Sequence, residues 1–340
     1  MTAKHTILPV FIPHEGCLHK CVFCDQRRIA GAGGPYDVCP AISESATDRI
    51  RALVGAALAK GRRDGDKAIE MAFYGGSFTA LPEQRQKELA EAARPLLEQD
   101  PRNSIRISTR PDCIDETIVA RLKDYGVRTV ELGAQSMCDD VLNASSRGHL
   151  ALDVVKASAL LKEKGFSLVL QMMTGLPCDT SVKSIYTANR LISLDPDAVR
   201  IYPAVIIKGT KLHEMWINGE YREHTLNEAV TLCSVLFLMF ENAGIPVIRL
   251  GLNPSDELSG GEAVAGAYHP AFGGLVRSRI YYSEAAALLS GIEPGSDVTI
   301  AVAKGCTSMM VGDKRRNIED LGARFGLRSL KIVETVPAQG

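Results

Sequence analysis

The sequence lacks a large net charge of either sign, a long apolar run and an even number of cysteines. The formal net charge is −1, so no overall basic field indicates nucleic-acid binding, although a local basic groove is compatible with a neutral total. The apolar run near the N-terminus is broken by Pro9 and Pro13 and has no small-residue cleavage site after it, so we expect that it is not a signal peptide. The longest strongly apolar run, 232–240, is too short to span a bilayer and predicts a buried helix.

The nine cysteines are an odd number in a chain that is large enough to fold without disulfides. Six of them are scattered along the sequence: Cys39, Cys113, Cys138, Cys178, Cys233 and Cys306. This usage predicts a reduced, cytoplasmic protein, and we expect no membrane partner. The chain has 340 residues, 46% of them apolar, which suits one large α/β domain and a smaller appendage.

Short β-rich runs alternate with helical patterns along most of the chain. Six strands are predicted, over residues 7–12, 68–76, 104–109, 128–133, 166–171 and 198–203. Six strand–helix units in sequence predict parallel strands joined by right-handed crossovers. We therefore expect an α/β fold in which residues 1–244 form a partial (β/α)6 TIM-like barrel of parallel strands. The later runs, beginning with 246–252, predict a small C-terminal α+β domain over 245–340.

Glycine and proline set the limits of several predicted helices. The helix over about 82–94 has Pro82 in its first turn and is expected to kink or end at Pro95. Gly126 is expected to cap the helix before it in a left-handed conformation. A longer helix, about 225–243, is expected to end at Gly244.

The unusual residues of the sequence fall where the predicted strands end. The first strand leads into three close cysteines, and the later strands end in Gly75-Gly76-Ser77, Ser108-Thr109-Arg110, Gln135-Ser136, Gln171 and Tyr202-Pro203. In barrels of parallel strands, catalytic residues lie at the carboxyl ends of the strands. We therefore expect these groups to surround a single site.

Three cysteines, Cys17, Cys21 and Cys24, fall within eight residues with the spacing C-x3-C-x2-C. A structural zinc ion needs four ligands, so His14 or His19 would have to complete a zinc site. A redox dithiol would use only the last two cysteines and leave Cys17 idle. Three thiolates would hold three irons of a 4Fe–4S cluster and leave the fourth iron open to a small molecule. The spacing favours the cluster over zinc.

The cysteine loop resembles that of the radical S-adenosylmethionine (SAM) superfamily, with an aromatic residue, Phe23, just before the third cysteine. Further segments resemble the SAM-binding segments of that superfamily: YGGSFT (74–79), STRPD (108–112), VELGAQS (130–136), SSRGH (145–149), GLP (175–177) and RIYP (200–203). Over roughly residues 8–285 the sequence is most similar to the radical SAM half of the Elongator catalytic subunit. The anaerobic coproporphyrinogen oxidases resemble it more distantly.

Three departures from the Elongator pattern limit what the resemblance implies. The gap between the first two cluster cysteines is shorter here, with three residues. The chain is expected to lack the acetyltransferase domain that follows the radical half, so acetyl-CoA-dependent tRNA modification is not implied. Ser108 stands where Elongator-like proteins have glutamate, which removes one carboxylate from the expected SAM pocket. The resemblance therefore implies the radical chemistry alone.

The resemblance implies that Cys17, Cys21 and Cys24 ligate the cluster as thiolates. The residues expected to bind SAM are Phe23, Gly75, Gly76, Ser77, Ser108, Gln135, Arg147, Gln171 and Tyr202. The glycine segment is expected to hold the methionyl amine, and Arg147 to face the SAM carboxylate with its planar fork of donors. The two glutamines can offer donors and acceptors to the ribose hydroxyls. No catalytic side chain is assigned.

Several of these assignments have an ordinary structural alternative. The glycines also suit a tight turn with positive φ. The backbone beside Phe23 is expected near the adenine, whereas its ring suits a core position equally well. Tyr202 can contact adenine or simply pack, and Arg147 can be a solvated helix residue. His14, His19 and His269 receive no role, although His269 is a candidate for the substrate side.

These features predict a radical SAM enzyme that cleaves SAM reductively and abstracts hydrogen from a substrate with the 5′-deoxyadenosyl radical. The expected partners are an external one-electron donor of the flavodoxin or ferredoxin type and a tRNA or small-molecule substrate. A nucleoside in RNA is favoured by analogy, and a small metabolite or tetrapyrrole is the alternative. The competing classes are a zinc-binding, non-catalytic RNA-binding protein and an electron carrier with a cluster. The basic segment 314–331 suits either phosphate contacts or a solvated helix.

Overall fold

A computed structural model describes residues 6–12, 15–17, 19–25, 46–60, 67–256 and 258–335. His14 and Cys39 lie outside these residues. The strands are β1 (Thr6–Phe11), β2 (Ile69–Tyr74), β3 (Ser104–Thr109), β4 (Val127–Gln135), β5 (Ser167–Thr174), β6 (Ala198–Pro203), β7 (Val205–Ile207), β8 (Val247–Leu250), β9 (Ala263–Gly266), β10 (Asp297–Ala303) and β11 (Ser329–Thr335). The helices are α1 (Ala46–Ala59), α2 (Glu83–Gln99), α3 (Glu116–Asp124), α4 (Asp139–Ala144), α5 (Ala151–Glu163), α6 (Ser181–Ser193), α7 (Lys211–Ile217), α8 (Leu226–Asn242), α9 (Phe272–Leu288), α10 (Thr307–Val311) and α11 (Arg316–Phe325).

Seven parallel strands form one curled sheet, a half-barrel, in the order β1-β2-β3-β4-β5-β6-β8. Helices follow most of these strands, and the apolar strand residues pack against them in one large core. Ile105 and Leu132 are fully buried there, as expected for a sheet that is covered by helices. The predicted α/β partial barrel is confirmed, with one strand more than the six that were expected.

The seventh strand, β8, corrects one assignment. The run 246–252 was predicted to belong to the smaller C-terminal domain, but β8 pairs in parallel with β6. The backbone N–H of Val199 also donates to Pro246 O at 3.0 Å. The strand follows α8 just as the earlier strands follow their helices, so the repeating unit continues once more than its short apolar run indicated. The division of the chain between residues 244 and 245 stays a prediction.

Helix α2 corrects a second expectation, because it continues through Pro95 to Gln99. A proline inside a helix removes one hydrogen bond and crowds the preceding turn. Here Pro95 lies on the exposed side, while Ala93 and Leu96 are fully buried on the other. Burial of that face offsets the local cost. The expected left-handed cap at Gly126 is confirmed, with φ of +77°.

The C-terminal residues form a second, smaller core. Strands β10 and β11 pair in parallel, with Asp297 opposite Ser329, and α10 and α11 connect them. Leu289, Val302 and Leu321 are buried between these elements. In the part of the chain that the structure describes, no helix has the length and apolar character needed to cross a bilayer.

Candidate active site

A pocket of about 1190 Å³ lies at the carboxyl ends of the sheet strands, beside the cysteine loop. Every residue predicted from the sequence to hold the cluster or SAM lines this pocket: Cys17, Cys21, Phe23, Cys24, Gly75, Gly76, Ser77, Ser108, Gln135, Arg147, Gln171 and Tyr202. Their convergence follows from the topology, since parallel strands in consecutive order bring their carboxyl ends to the same edge. Their individual roles stay predictions.

Two glycines allow the cysteine loop to pack closely against the turn after β2. A Cβ on Gly16 would lie 2.2 Å from Ser77 O, and a Cβ on Gly76 would lie 2.3 Å from Glu15 O. The Ser77 N–H donates to Glu15 O at 2.9 Å across the same contact. Gly75 has φ of +87°, which favours glycine as well. The segment 75–77 is therefore a tight turn on which the cysteine loop rests.

Gly76→Ala tests this contact. The added Cβ would also lie 2.8 Å from Ile12 O, so two backbone carbonyls, which cannot rotate away, would have to move. We expect a loss of about 1–3 kcal/mol in the free energy of unfolding, typical of overpacking, measured by chemical denaturation. Gly55→Ala on α1 is the matched control, because nothing lies within 4 Å of its Cβ. Equal stability of the two variants would contradict the close contact.

None of the three loop cysteines forms a disulfide within the described residues, and the three differ in exposure. Cys17 is exposed, and Cys21 and Cys24 are half-buried. Although Cys17 is exposed as a residue, the surrounding protein atoms partly desolvate its thiol and raise its pKa. The Cys21 thiol raises this pKa further, while the guanidinium groups of Arg110 and Arg147 lower it. Among the described residues, no three His, Cys, Asp or Glu side chains are close enough to hold a metal ion as they stand. The donor set nevertheless suits an iron–sulfur cluster, because three thiols on one loop face a shared pocket beside a positive charge.

Arg147 connects the cysteine loop to the sheet. Its Nη1 donates to Cys21 Sγ at 3.2 Å, and its Nη2 donates to Gly133 O at 2.7 Å. Its buried Nε has no hydrogen-bond partner, and neither has the buried Oε1 of Gln135. Gln135 also has φ of +63°, which a non-glycine residue rarely adopts. Unpaired buried polar atoms are costly, so two of them on a pocket wall fit a polar ligand such as SAM.

The STRPD and SSRGH segments support each other. Arg110 Nε and Nη2 each donate to an Asp112 oxygen at 3.0 Å, and Nη2 also donates to Arg147 O at 2.5 Å. His149 is buried next to Ala134, with its Nε2 3.3 Å from the carbonyl oxygen. Burial, together with the positive charge of Arg147, lowers the pKa of His149 to about 4, so the imidazole is neutral at neutral pH. These contacts fix the backbone that carries Arg147.

A buried charge network beneath the site was not anticipated from the sequence. Glu131 is fully buried, and its Oε1 accepts from Arg106 Nη1 and Arg200 Nη2, each at 2.7 Å. Tyr74 Oη donates to the same oxygen at 3.2 Å, and Glu70 accepts from Arg106 Nε at 2.7 Å. The available signal was one charged residue inside each of several otherwise apolar strands. Such residues alternate with core positions and therefore point toward the barrel interior.

The remaining predicted residues have identifiable neighbours. Gln171 Nε2 donates to Glu131 Oε2 at 2.8 Å, so part of its amide belongs to the network. Tyr202 Oη accepts from Arg200 Nη1 at 3.3 Å. Phe23 is largely buried in a small apolar cluster, and Ser108 lies opposite Glu131 on the neighbouring strand. The ring of Phe23 packs in this cluster, as the core alternative predicts. The residue also lines the pocket, so this position is compatible with a backbone contact to the adenine as well.

Two histidines take structural positions. The His19 ring lies against Gly148, where a Cβ would come within 2.5 Å of it. This contact holds the cysteine loop against the SSRGH segment. His269 accepts from the Ala271 N–H at 3.1 Å through Nδ1, as a turn residue does, and it is not among the residues that line the pocket.

Comparison with known families gives two matches. A model described as the Radical SAM superfamily matches residues 11–181. A model described as the Radical SAM C-terminal domain matches residues 196–282, a range that crosses the predicted division at residue 244.

Relatives match over part of their length. An uncharacterised protein of Methanocaldococcus jannaschii is 31% identical over 227 residues, which are 64% of this chain and 66% of the relative. The tRNA uridine(34) acetyltransferase of Methanocaldococcus infernus is 31% identical over 191 residues, 49% of this chain and 35% of the relative. Elongator complex protein 3 of Homo sapiens is 28% identical over 184 residues, 48% and 34% respectively. The chain thus spans between about a third and two thirds of these relatives.

A solved structure has the same fold. The structure of archaeal Methanocaldococcus infernus Elp3, with an N-terminal deletion, has a TM-score of 0.61 over 82% of this chain and 64% of that chain. The sequence identity is 23%, so this likeness concerns the fold alone.

Proposed function

This chain belongs to the radical SAM superfamily, and from that premise we propose that it cleaves SAM reductively on a 4Fe–4S cluster and uses the resulting 5′-deoxyadenosyl radical to abstract hydrogen from an RNA nucleoside. Its status as a radical SAM enzyme and its cofactors, the cluster and SAM, follow from the family. The observation that carries the finer proposal is the convergence of the cysteine loop and five strand ends on one pocket.

When bound, the cluster and SAM would supply the radical chemistry, with an electron from an external one-electron donor of flavodoxin or ferredoxin type. The protein's own task is binding, orientation and exclusion of water. Cys17, Cys21 and Cys24 would hold three irons as thiolates. Arg147, whose Nη1 already donates to Cys21 Sγ, would add positive charge beside the thiolates and place its unpaired Nε near the SAM carboxylate.

The pocket wall also contains the groups that would hold the rest of SAM. The turn at Gly75–Ser77 lines the pocket, and its backbone would hold the methionyl amine. The unpaired Oε1 of Gln135 suits a ribose hydroxyl donor. Tyr202, fixed by Arg200, offers a ring to the adenine. The small side chain of Ser108 leaves room where Elongator-like proteins have glutamate.

An RNA nucleoside is the proposed substrate class. It is supported by the relative named tRNA uridine(34) acetyltransferase, which matches about half of this chain. The pocket volume of about 1190 Å³ is compatible with SAM and a second group of nucleoside size. Together with this substrate class, we propose that the protein is located in the cytoplasm.

Anaerobic purification tests the proposal. The protein should be brown and contain about four irons and four sulfides per chain. Addition of dithionite and SAM should release 5′-deoxyadenosine, measured by liquid chromatography. Nucleoside profiles of bulk tRNA from cells with and without the protein should then differ in one modified nucleoside. A colourless protein with one bound zinc would overturn the proposal, and an unchanged tRNA profile would overturn its substrate class.

A further inference from the structure

We propose that Arg249 binds an anionic oxygen group of the substrate, a phosphate or a carboxylate; this inference rests on the function proposed above. Arg249 lies on β8, the last strand of the half-barrel, and lines the same pocket as the cysteine loop. Ile7 and Pro9 of β1, the opposite edge strand, line it too. The pocket therefore extends beyond the predicted SAM residues to the open side of the half-barrel.

The guanidinium of Arg249 is held in place by its own strand end. Its Nε donates to Gly251 O at 3.0 Å, and its Nη2 donates to Leu252 O at 2.8 Å. Nη1 donates to no protein atom among the described residues. Two of the three nitrogens thus fix the plane of the group and leave Nη1 for a ligand. The N–H groups of Nη1, held in a fixed plane by these two bonds, suit an anionic oxygen of a phosphate or a carboxylate.

Charge balance separates Arg249 from three paired cations of the pocket wall. Lys20 and Arg147 also line the pocket without an ion pair among the described residues, but they lie in or against the cysteine loop, away from β8. Arg110, Arg200 and Lys211 are paired with Asp112, Glu131 and Glu214, respectively. Arg249 forms no ion pair within the described part of the chain. The two carboxylates of the inner network, Glu70 and Glu131, are already balanced by Arg106 and Arg200. The pocket wall at β8 therefore has an uncompensated positive charge.

The neighbours of Arg249 increase the stabilisation that a bound anion would provide. Arg200 lies directly opposite it on the adjacent strand. Burial lowers the pKa of Arg249, as does the positive charge of Arg200, while Tyr202 raises it. A half-buried cation beside another cation is stabilised when an anion binds. The exposed Asp256 also lines the pocket, but it forms no ion pair with Arg249.

Anion titration of the anaerobic holoenzyme, with cluster and SAM bound, tests this site. The probes are inorganic phosphate and sodium acetate, each titrated at constant ionic strength and followed by calorimetry. We expect saturable binding of at least one probe, weakened about tenfold in Arg249→Gln, which corresponds to ~1.4 kcal/mol. Arg249→Lys keeps the charge without the planar fork and should lose affinity by a smaller factor. Lys87→Gln, which removes an exposed cation paired with Glu91 outside the pocket, should stay within about twofold of the wild type.

The two probes distinguish the sources of the anion. Tighter binding of phosphate supports a nucleotide substrate, and tighter binding of acetate supports a small carboxylic acid. Absence of saturable binding, or equal affinities in wild type and both Arg249 variants, would overturn the site. The release of 5′-deoxyadenosine is measured separately. Intact anion binding without SAM cleavage would leave the site standing and remove the proposed function.

Discussion

Cys21→Ala is expected to abolish both the brown colour and the release of 5′-deoxyadenosine. Cys21 is the middle ligand of the proposed set, and its Sγ accepts from Arg147 Nη1 at 3.2 Å. Loss of one of only three protein ligands leaves two thiolates for the cluster, which is normally held by more. The iron content of the anaerobic protein should fall from about four to below about one per chain. SAM cleavage should fall below detection.

Cys178→Ala is the matched control for this prediction. Cys178 is a free, exposed cysteine outside the pocket wall, so its loss removes a thiol without touching the proposed site. Its iron content and its rate of SAM cleavage should equal those of the wild type. A Cys21→Ala protein that keeps its iron and still cleaves SAM would show that the cluster is held elsewhere. Far-ultraviolet circular dichroism of both variants verifies that each is folded.

The fold and the ring of site residues were accessible from the sequence for a physical reason. Buried parallel strands are almost continuously apolar, so their positions and order can be identified from the sequence alone. Parallel strands joined by helices then bring all their carboxyl ends to one edge, which predicts a shared site without any distance information. The place of strand β8 in this sheet was not predicted, because the strand has only four residues and one of them is Arg249.

The contacts inside the half-barrel could not be predicted in the same way. Arg106 and Arg200 meet at Glu131 from positions 25 residues before it and 69 residues after it. Which charge faces which depends on strand order, register and curl together. The same holds for Gln171, whose amide was expected at a ribose but also donates to Glu131. The sequence indicated polar groups at each strand, while their pairing needed three dimensions.

Glu131→Gln is expected to lower the free energy of unfolding by about 3–5 kcal/mol. The carboxylate is fully buried and accepts from two arginines and one tyrosine at a single oxygen. Replacement by an amide removes the negative charge and leaves Arg200 without its ion-pair partner in a partly buried position. Removal of one partner from a buried ion pair costs far more than the pair itself contributes. Chemical denaturation with two spectroscopic probes measures the difference.

Glu91→Gln on the exposed side of α2 separates the burial effect from the simple loss of a charge. Glu91 pairs with Lys87 at 3.8 Å, and both side chains are more than half exposed. Exposed pairs of this kind contribute about 0–1 kcal/mol, so this variant should unfold almost as the wild type does. The burial of Glu131 and Glu91 differs while the chemical change is identical. Equal unfolding free energies in the two variants would mean that Arg200 and Arg106 find compensation without Glu131, which is incompatible with a network centred on that carboxylate.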